Sequence, residues 1–159
     1  GKDAIQLVKA SVEENRRYAV AFVDVLMPPG IDGIETIFCM WSIDPHIQVV
    51  ICTAYSIYTW EEITRRLGET DQLYILKKPF ERIEILNLAH TLSKRWAISR
   101  TIRKQLAKIE AAASSSELTS KIDIKDSLEK INAAFGKLKY LNEDLKKVAV
   151  KEMKDSSSK

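Results

Sequence analysis

Apolar positions follow two different periods along this chain of 159 residues, and the change from one to the other divides it. Between residues 3 and 15, Ala4, Ile5, Leu7, Val8 and Val12 recur at helical spacing, which predicts a helix with one buried face. The run Tyr18-Ala-Val-Ala-Phe-Val-Asp24 is apolar until its final acid and predicts a strand buried on both faces of a parallel sheet. Pro28, Pro29 and Gly30 stop it. Ile34–Trp41 predict the next helix and Ile47–Thr53 a second buried strand. In the segment Ile57–Leu67 the side chains of Trp60, Ile63 and Leu67 share a helical face, with Gly68 as a terminator. Leu73–Lys77 predict a third strand, followed by Lys78-Pro79 and a long helix from about Glu81. Strands and helices that alternate over connections this short predict an α/β fold with a doubly wound parallel sheet, and such sheets carry their sites at the carboxyl ends of the strands.

Beyond residue 92 the period changes to a heptad. It runs through Ile85, Leu88, Leu92, Ile102, Leu106 and Ile109, interrupted by Arg95 and Ser99. A second register runs Leu128, Ile131, Phe135, Leu138, Asn142, Leu145 and Ala149, with a break or turn predicted at Ser114-Ser-Ser116. Two seams of this kind fit either a parallel dimeric coiled coil or an antiparallel helical hairpin, and an Asn at a core position is a device for setting register. The expected organisation is therefore a compact domain over residues 1–96 and a helical connector or coiled coil over 97–159. Asp155–Lys159 should fray.

Apolar residues at 45% and charged residues at 30% are the balance of a globular protein. The net charge of +3 is distributed unevenly: residues 1–80 hold 8 basic against 11 acidic side chains, and residues 81–159 hold 17 against 11. In the basic half Lys alternates with Glu and Asp at helical spacing, which is the pattern of a solvated helix face. Nucleic acid and membrane are accordingly not among the expected partners. Cys39 and Cys52 lie in apolar runs without metal-ligand spacing, so both are expected to be reduced core residues. A chain with no apolar stretch of ~18 residues and no opening signal pattern is expected to be cytoplasmic.

The three predicted strands end in Asp24, Thr53 and Lys78, which the topology brings to one edge of the sheet. An acyl phosphate needs a carboxylate nucleophile, a cation for the phosphoryl oxygens and a hydroxyl donor to one of them, and these three side chains are those parts. Taken singly each has a plainer explanation: a capping aspartate, a β-branched strand end, a solvated lysine. Only the combination is specific.

These blocks, Phe22-Val-Asp-Val-Leu-Met-Pro-Pro-Gly-Ile-Asp-Gly33, Val50-Ile-Cys-Thr-Ala54 and Lys77-Lys-Pro-Phe80, resemble the receiver domain of two-component response regulators over about residues 1–96. The resemblance implies an incomplete flavodoxin-like sheet and a phosphorelay role. Asp24 would accept a phosphoryl group from a histidine kinase or phosphotransfer protein, with Lys78 pairing with the phosphoryl oxygens and Thr53 bonding the phosphate. Asp24 and the carbonyl of Leu26 would be ligands of Mg²⁺, and the Lys78-Pro79 bond would be cis. Such a module is not an enzyme beyond its own phosphorylation and dephosphorylation. A homodimer through the C-terminal helices is expected, with the output domain outside these residues.

This chain departs from the family pattern in two places. The family's switch aromatic stands three residues before the lysine, where this chain has Ile75. Tyr74, one place earlier, is the aromatic available as a switch beside Thr53. The family also opens with a strand ending in an acidic pair that supplies the Mg²⁺ carboxylates. Glu13-Glu14 lies in a helical stretch instead, and the first strands, roughly 45–50 residues, are expected to be missing. The strand at Tyr18–Asp24 should then present an unpaired apolar edge. Two other functions fit parts of this pattern: a non-phosphorylated pseudo-receiver acting as a dimerisation or scaffold module, and an aspartate-nucleophile hydrolase. The hydrolase needs a second Asp where Leu26 stands.

Overall fold

The computed structural model describes residues 1–25, 32–54, 60–68, 70–113 and 119–156, without the side chains of 60, 113, 119–123 and 146–156. The elements are α1 (Lys2–Glu13), β1 (Val20–Asp24), α2 (Gly33–Ile43), β2 (Gln48–Ala54), α3 (Trp60–Leu67), β3 (Leu73–Lys78), α4 (Arg82–Ala113) and α5 (Thr119–Ser156). Two compact units result, Gly1–Trp96 and Ala97–Lys159, with the boundary inside α4.

The first unit holds three parallel strands in the order β1-β2-β3. With helices linking them in sequence, this is an incomplete flavodoxin-like α/β fold. The central strand explains its own composition: Gln48 to Cys52 are buried without interruption, so both faces of β2 must be covered and both must be apolar. The expectation that Tyr18–Asp24 is buried on both faces is corrected. In β1 only Val23 is fully buried, while Phe22 and the preceding Tyr18 are 38% and 44% exposed. The reason is position: among the described residues β1 pairs with β2 alone and is therefore an edge strand.

The core beneath the sheet joins Val8 of α1, Ile34, Ile37 and Met40 of α2, and Ile63 of α3 to Val23, Val49, Ile51 and Leu73 of the strands. At about 1.5–3 kcal/mol for each aliphatic side chain taken out of water, this cluster is the main stabilising contribution of the unit. Helix α1 ends where Asn15 takes a positive φ of 56°, and the amides of Asn15 and Arg16 return to the carbonyls of Val12 and Ser11. Gly68, at φ 82°, ends α3 in the same left-handed region, as its position in the sequence predicts. Cys52 is buried and Cys39 half-buried, and both are free thiols.

In the second unit α5 buries only part of the predicted seam within the chain. Ile131 is buried and Leu138 and Leu145 are half-buried, but Leu128, Phe135 and Asn142 are exposed. The buried row is completed by Ser127 and Ala134, with Leu141 half-buried, one step round the helix from the predicted register. Leu106 of α4 is likewise exposed, whereas Ile102 is buried. The predicted break at Ser114–Ser116 lies outside the described residues. Helix α5 is described through Ser156, and 157–159 lie outside the description.

Candidate functional site

Parallel register decides which side chains meet at the carboxyl edge. Asp24 stands beside Cys52 of β2, which stands beside Leu76 of β3, while Thr53 is level with Lys77 and Ala54 with Lys78. Asp24 and Lys78 are thus separated by the whole width of β2, about 10 Å from strand to strand. A lysine stem can cross such a gap, and the Lys78 ammonium donates to Oδ2 of Asp24. Both side chains remain about a third exposed, at 36% and 34%, so the pair contributes only ~0–1 kcal/mol to stability. Its significance is chemical: a carboxylate at a strand end held beside a cation, with solvent access.

The two charges are also felt by the thiol beneath them. Burial pushes the Cys52 thiol above its usual range, with Lys78 pulling it down and Asp24 pushing it up. Cys52 thus forms the floor of the site, a role no motif in the sequence indicates. Thr53 is half-buried at the end of β2, and among the described residues its hydroxyl makes a long 3.4 Å bond to the carbonyl of Ala54. A bond that long holds the rotor weakly, and turning it away costs little. Lys78-Pro79 is cis. Leu26 lies outside the described residues.

The Asp-Gly pair at 32 and 33 has a structural part of its own. Asp32 caps α2, its Oδ1 accepting from the amide of Glu35 at 2.7 Å, while its Oδ2 accepts from Arg66 of α3 at 3.2 Å. Gly33 brings the start of α2 against the end of β1: its amide donates to the Val25 carbonyl at 3.3 Å, and a Cβ placed on it would stand 2.4 Å from the Asp24 carbonyl oxygen. No side chain fits there. The glycine therefore sets the backbone that presents Asp24.

Tyr74, the proposed switch aromatic, is not brought to Asp24. Its hydroxyl donates to the Asp71 carbonyl at 3.2 Å and accepts from Arg95 of α4, which also pairs with the Asp71 carboxylate. Burial raises the phenol above its usual range; Arg95 opposes this and Asp71 adds to it. Tyr74 and Lys78 occupy opposite ends of β3, about 13 Å apart along the strand. Arg95, which interrupts the heptad, is thereby explained: it clasps α4 to the start of β3.

The described residues do not by themselves form a Mg²⁺ site. Magnesium asks for near-octahedral oxygen ligands, and among the described residues no group of three or more acidic, His or Cys side chains comes together. Asp24 supplies a single carboxylate. No helix among the described residues is long and apolar enough to cross a membrane.

No family model matches this chain, and no curated protein does. Among solved structures the chain is similar to the crystal structure of a response regulator receiver protein from Sinorhizobium medicae, at 17% identity and a TM-score of 0.45, over 58% of this chain and 67% of that one.

Proposed function

We propose that this chain is a phosphoacceptor module that takes a phosphoryl group on Asp24 from a phosphohistidine donor, a histidine kinase or phosphotransfer protein, in the cytosol. The observation that carries the reading is the Asp24–Lys78 ion pair across β2, with Thr53 at the adjoining strand end. A carboxylate oxygen of Asp24 would attack phosphorus as the P–N bond of the donor breaks, and the leaving imidazole takes its proton from solvent. Charge then grows on the phosphoryl oxygens. The Lys78 ammonium, already at the carboxylate, needs only to transfer its hydrogen bond to one of them. Thr53 can turn its weakly held hydroxyl to another. The module is an acceptor and not a turnover enzyme, and its output runs through the C-terminal helices.

The test is mass spectrometry of the chain incubated with acetyl phosphate and Mg²⁺, with Asp24→Asn as control. One added phosphoryl group on the wild type and none on the variant is the expected result. Equal labelling of both overturns the assignment to Asp24.

A second reading is a non-phosphorylated pseudo-receiver that serves as a dimerisation or scaffold module. It is favoured by the company of Asp24 at the strand ends, a lysine, a threonine and a cysteine, with no second described carboxylate in a metal-binding group. Absence of labelling in both proteins, with an intact fold, selects it.

A further inference from the structure

Two carboxylates stand where β1 ends and α2 begins, and the proposed chemistry uses one of them. Asp24 pairs with Lys78. Asp32 caps α2: its backbone carbonyl accepts from the amide and the hydroxyl of Thr36 at 3.0 and 2.9 Å, and its Oδ1 accepts from the amide of Glu35 at 2.7 Å. The next residue, Gly33, lies so close to the end of β1 that a Cβ on it would stand 2.4 Å from the Asp24 carbonyl oxygen. The Asp32 carboxylate is therefore held ~10 Å from that of Asp24, a distance comparable to the Debye length in ordinary buffer.

A phosphoryl group arriving on Asp24 brings about two negative charges of its own. A bare carboxylate at Asp32 opposes it, by about fourfold in rate for one charge against two at that distance in unscreened water. The N-terminus of α2 offsets part of the Asp32 charge. Arg66 of α3 offsets the remainder: its Nη2 donates at 3.2 Å to Oδ2, the oxygen that the cap leaves free for it. The two residues stand 34 apart in the chain and on different elements, so no helical spacing produces the pair. With the side chains 44% and 35% exposed, the pair adds little to stability. Its consequence is the field at the end of β1. Glu35, the other acid in the first turn of α2, stands further along the helix.

We infer that Arg66 is a positioning residue for phosphoryl transfer to Asp24 and acts through Asp32: it holds and neutralises the capping carboxylate that would otherwise repel the incoming phosphoryl group. The inference rests on the acceptor reading of Asp24. It adds to the site a residue of α3, a helix that carries neither Asp24 nor Lys78.

The test is the rate at which the full chain is labelled by acetyl phosphate at saturating Mg²⁺, followed by mass spectrometry at low and high ionic strength. At low ionic strength Arg66→Ala should label about two- to fourfold more slowly than the wild type, and Arg66→Lys, which keeps the charge, should stay near it. The defect should disappear in about 1 M salt, where the Debye length is ~3 Å. Asp32→Asn keeps a capping oxygen and removes the charge, so D32N/R66A should recover the wild-type rate, whereas a loss caused by a displaced backbone would remain. Both side chains are about a third or more exposed, so circular dichroism should show every variant folded. A labelled wild type matched by Arg66→Ala at low ionic strength overturns the inference and leaves Asp24 as the acceptor. So does a defect that persists in about 1 M salt, or one that D32N/R66A does not recover. A wild type that takes no phosphoryl group overturns the acceptor reading itself, and this inference with it.

Discussion

Replacing Gly33 by alanine isolates one contact that the sequence motif does not explain. In a helix such a change ordinarily stabilises, by up to ~1 kcal/mol from propensity. Here the new methyl would stand 2.4 Å from the Asp24 carbonyl oxygen, 2.8 Å from the Val25 Cα and 3.1 Å from the Asp24 carbonyl carbon. All three are backbone atoms, so no rotamer change relieves the clash. The first turn of α2 and the end of β1 must separate by roughly 0.6 Å merely to reach a 3.0 Å contact. Overpacking of this kind costs about 1–3 kcal/mol, so the net expectation is a loss of roughly 0–2 kcal/mol after the full propensity gain. Urea denaturation followed by far-UV circular dichroism reads it as a lower midpoint at unchanged slope. The same displacement moves Asp24 relative to Lys78, so acceptance of phosphate on Asp24 should fall in parallel. A Gly33→Ala protein whose midpoint exceeds that of the wild type would refute the close approach of α2 to Asp24.

Two further outcomes follow from the clasp at the start of β3. Arg95→Ala removes a guanidinium that is 11% exposed and holds both the Tyr74 hydroxyl and the Asp71 carboxylate; urea denaturation should report a loss of about 1–3 kcal/mol. Because burial places the folded Tyr74 phenol above its ordinary 10.0, its contribution is complete below that pH and is lost as pH rises through the folded value. Stability measured by urea denaturation should therefore decline above pH ~10, and Tyr74→Phe should remove part of that decline; identical slopes for the two proteins would discard the buried phenol as its cause.

Local order was legible in the chain because its causes are local. The apolar runs at Val20–Asp24, Gln48–Ala54 and Leu73–Lys78, each followed by a helical period, define the alternation and the parallel sheet. Gly68 marks the end of α3 because positive φ is inexpensive only for glycine. Asp24, Thr53 and Lys78 could be named because strand ends in a parallel sheet share an edge.

What the sequence left open depends on distance in space. No spacing along the chain says that Lys78 reaches across β2 to Asp24, that Cys52 is their floor, or that Arg95 of α4 holds Tyr74 at the far end of β3. The heptad in α5 was visible, but not which of its rows faces inward. Ile131 occurs in both the predicted and the observed buried row, and Ser127 and Ala134 are too small to advertise burial by hydrophobicity. Asp24 as a chemical group was determined by the sequence alone. Its cation, its floor and the glycine that sets its backbone were decided by tertiary packing, because each lies on a different element, and only the register of β1, β2 and β3 and the docking of α2 bring them together.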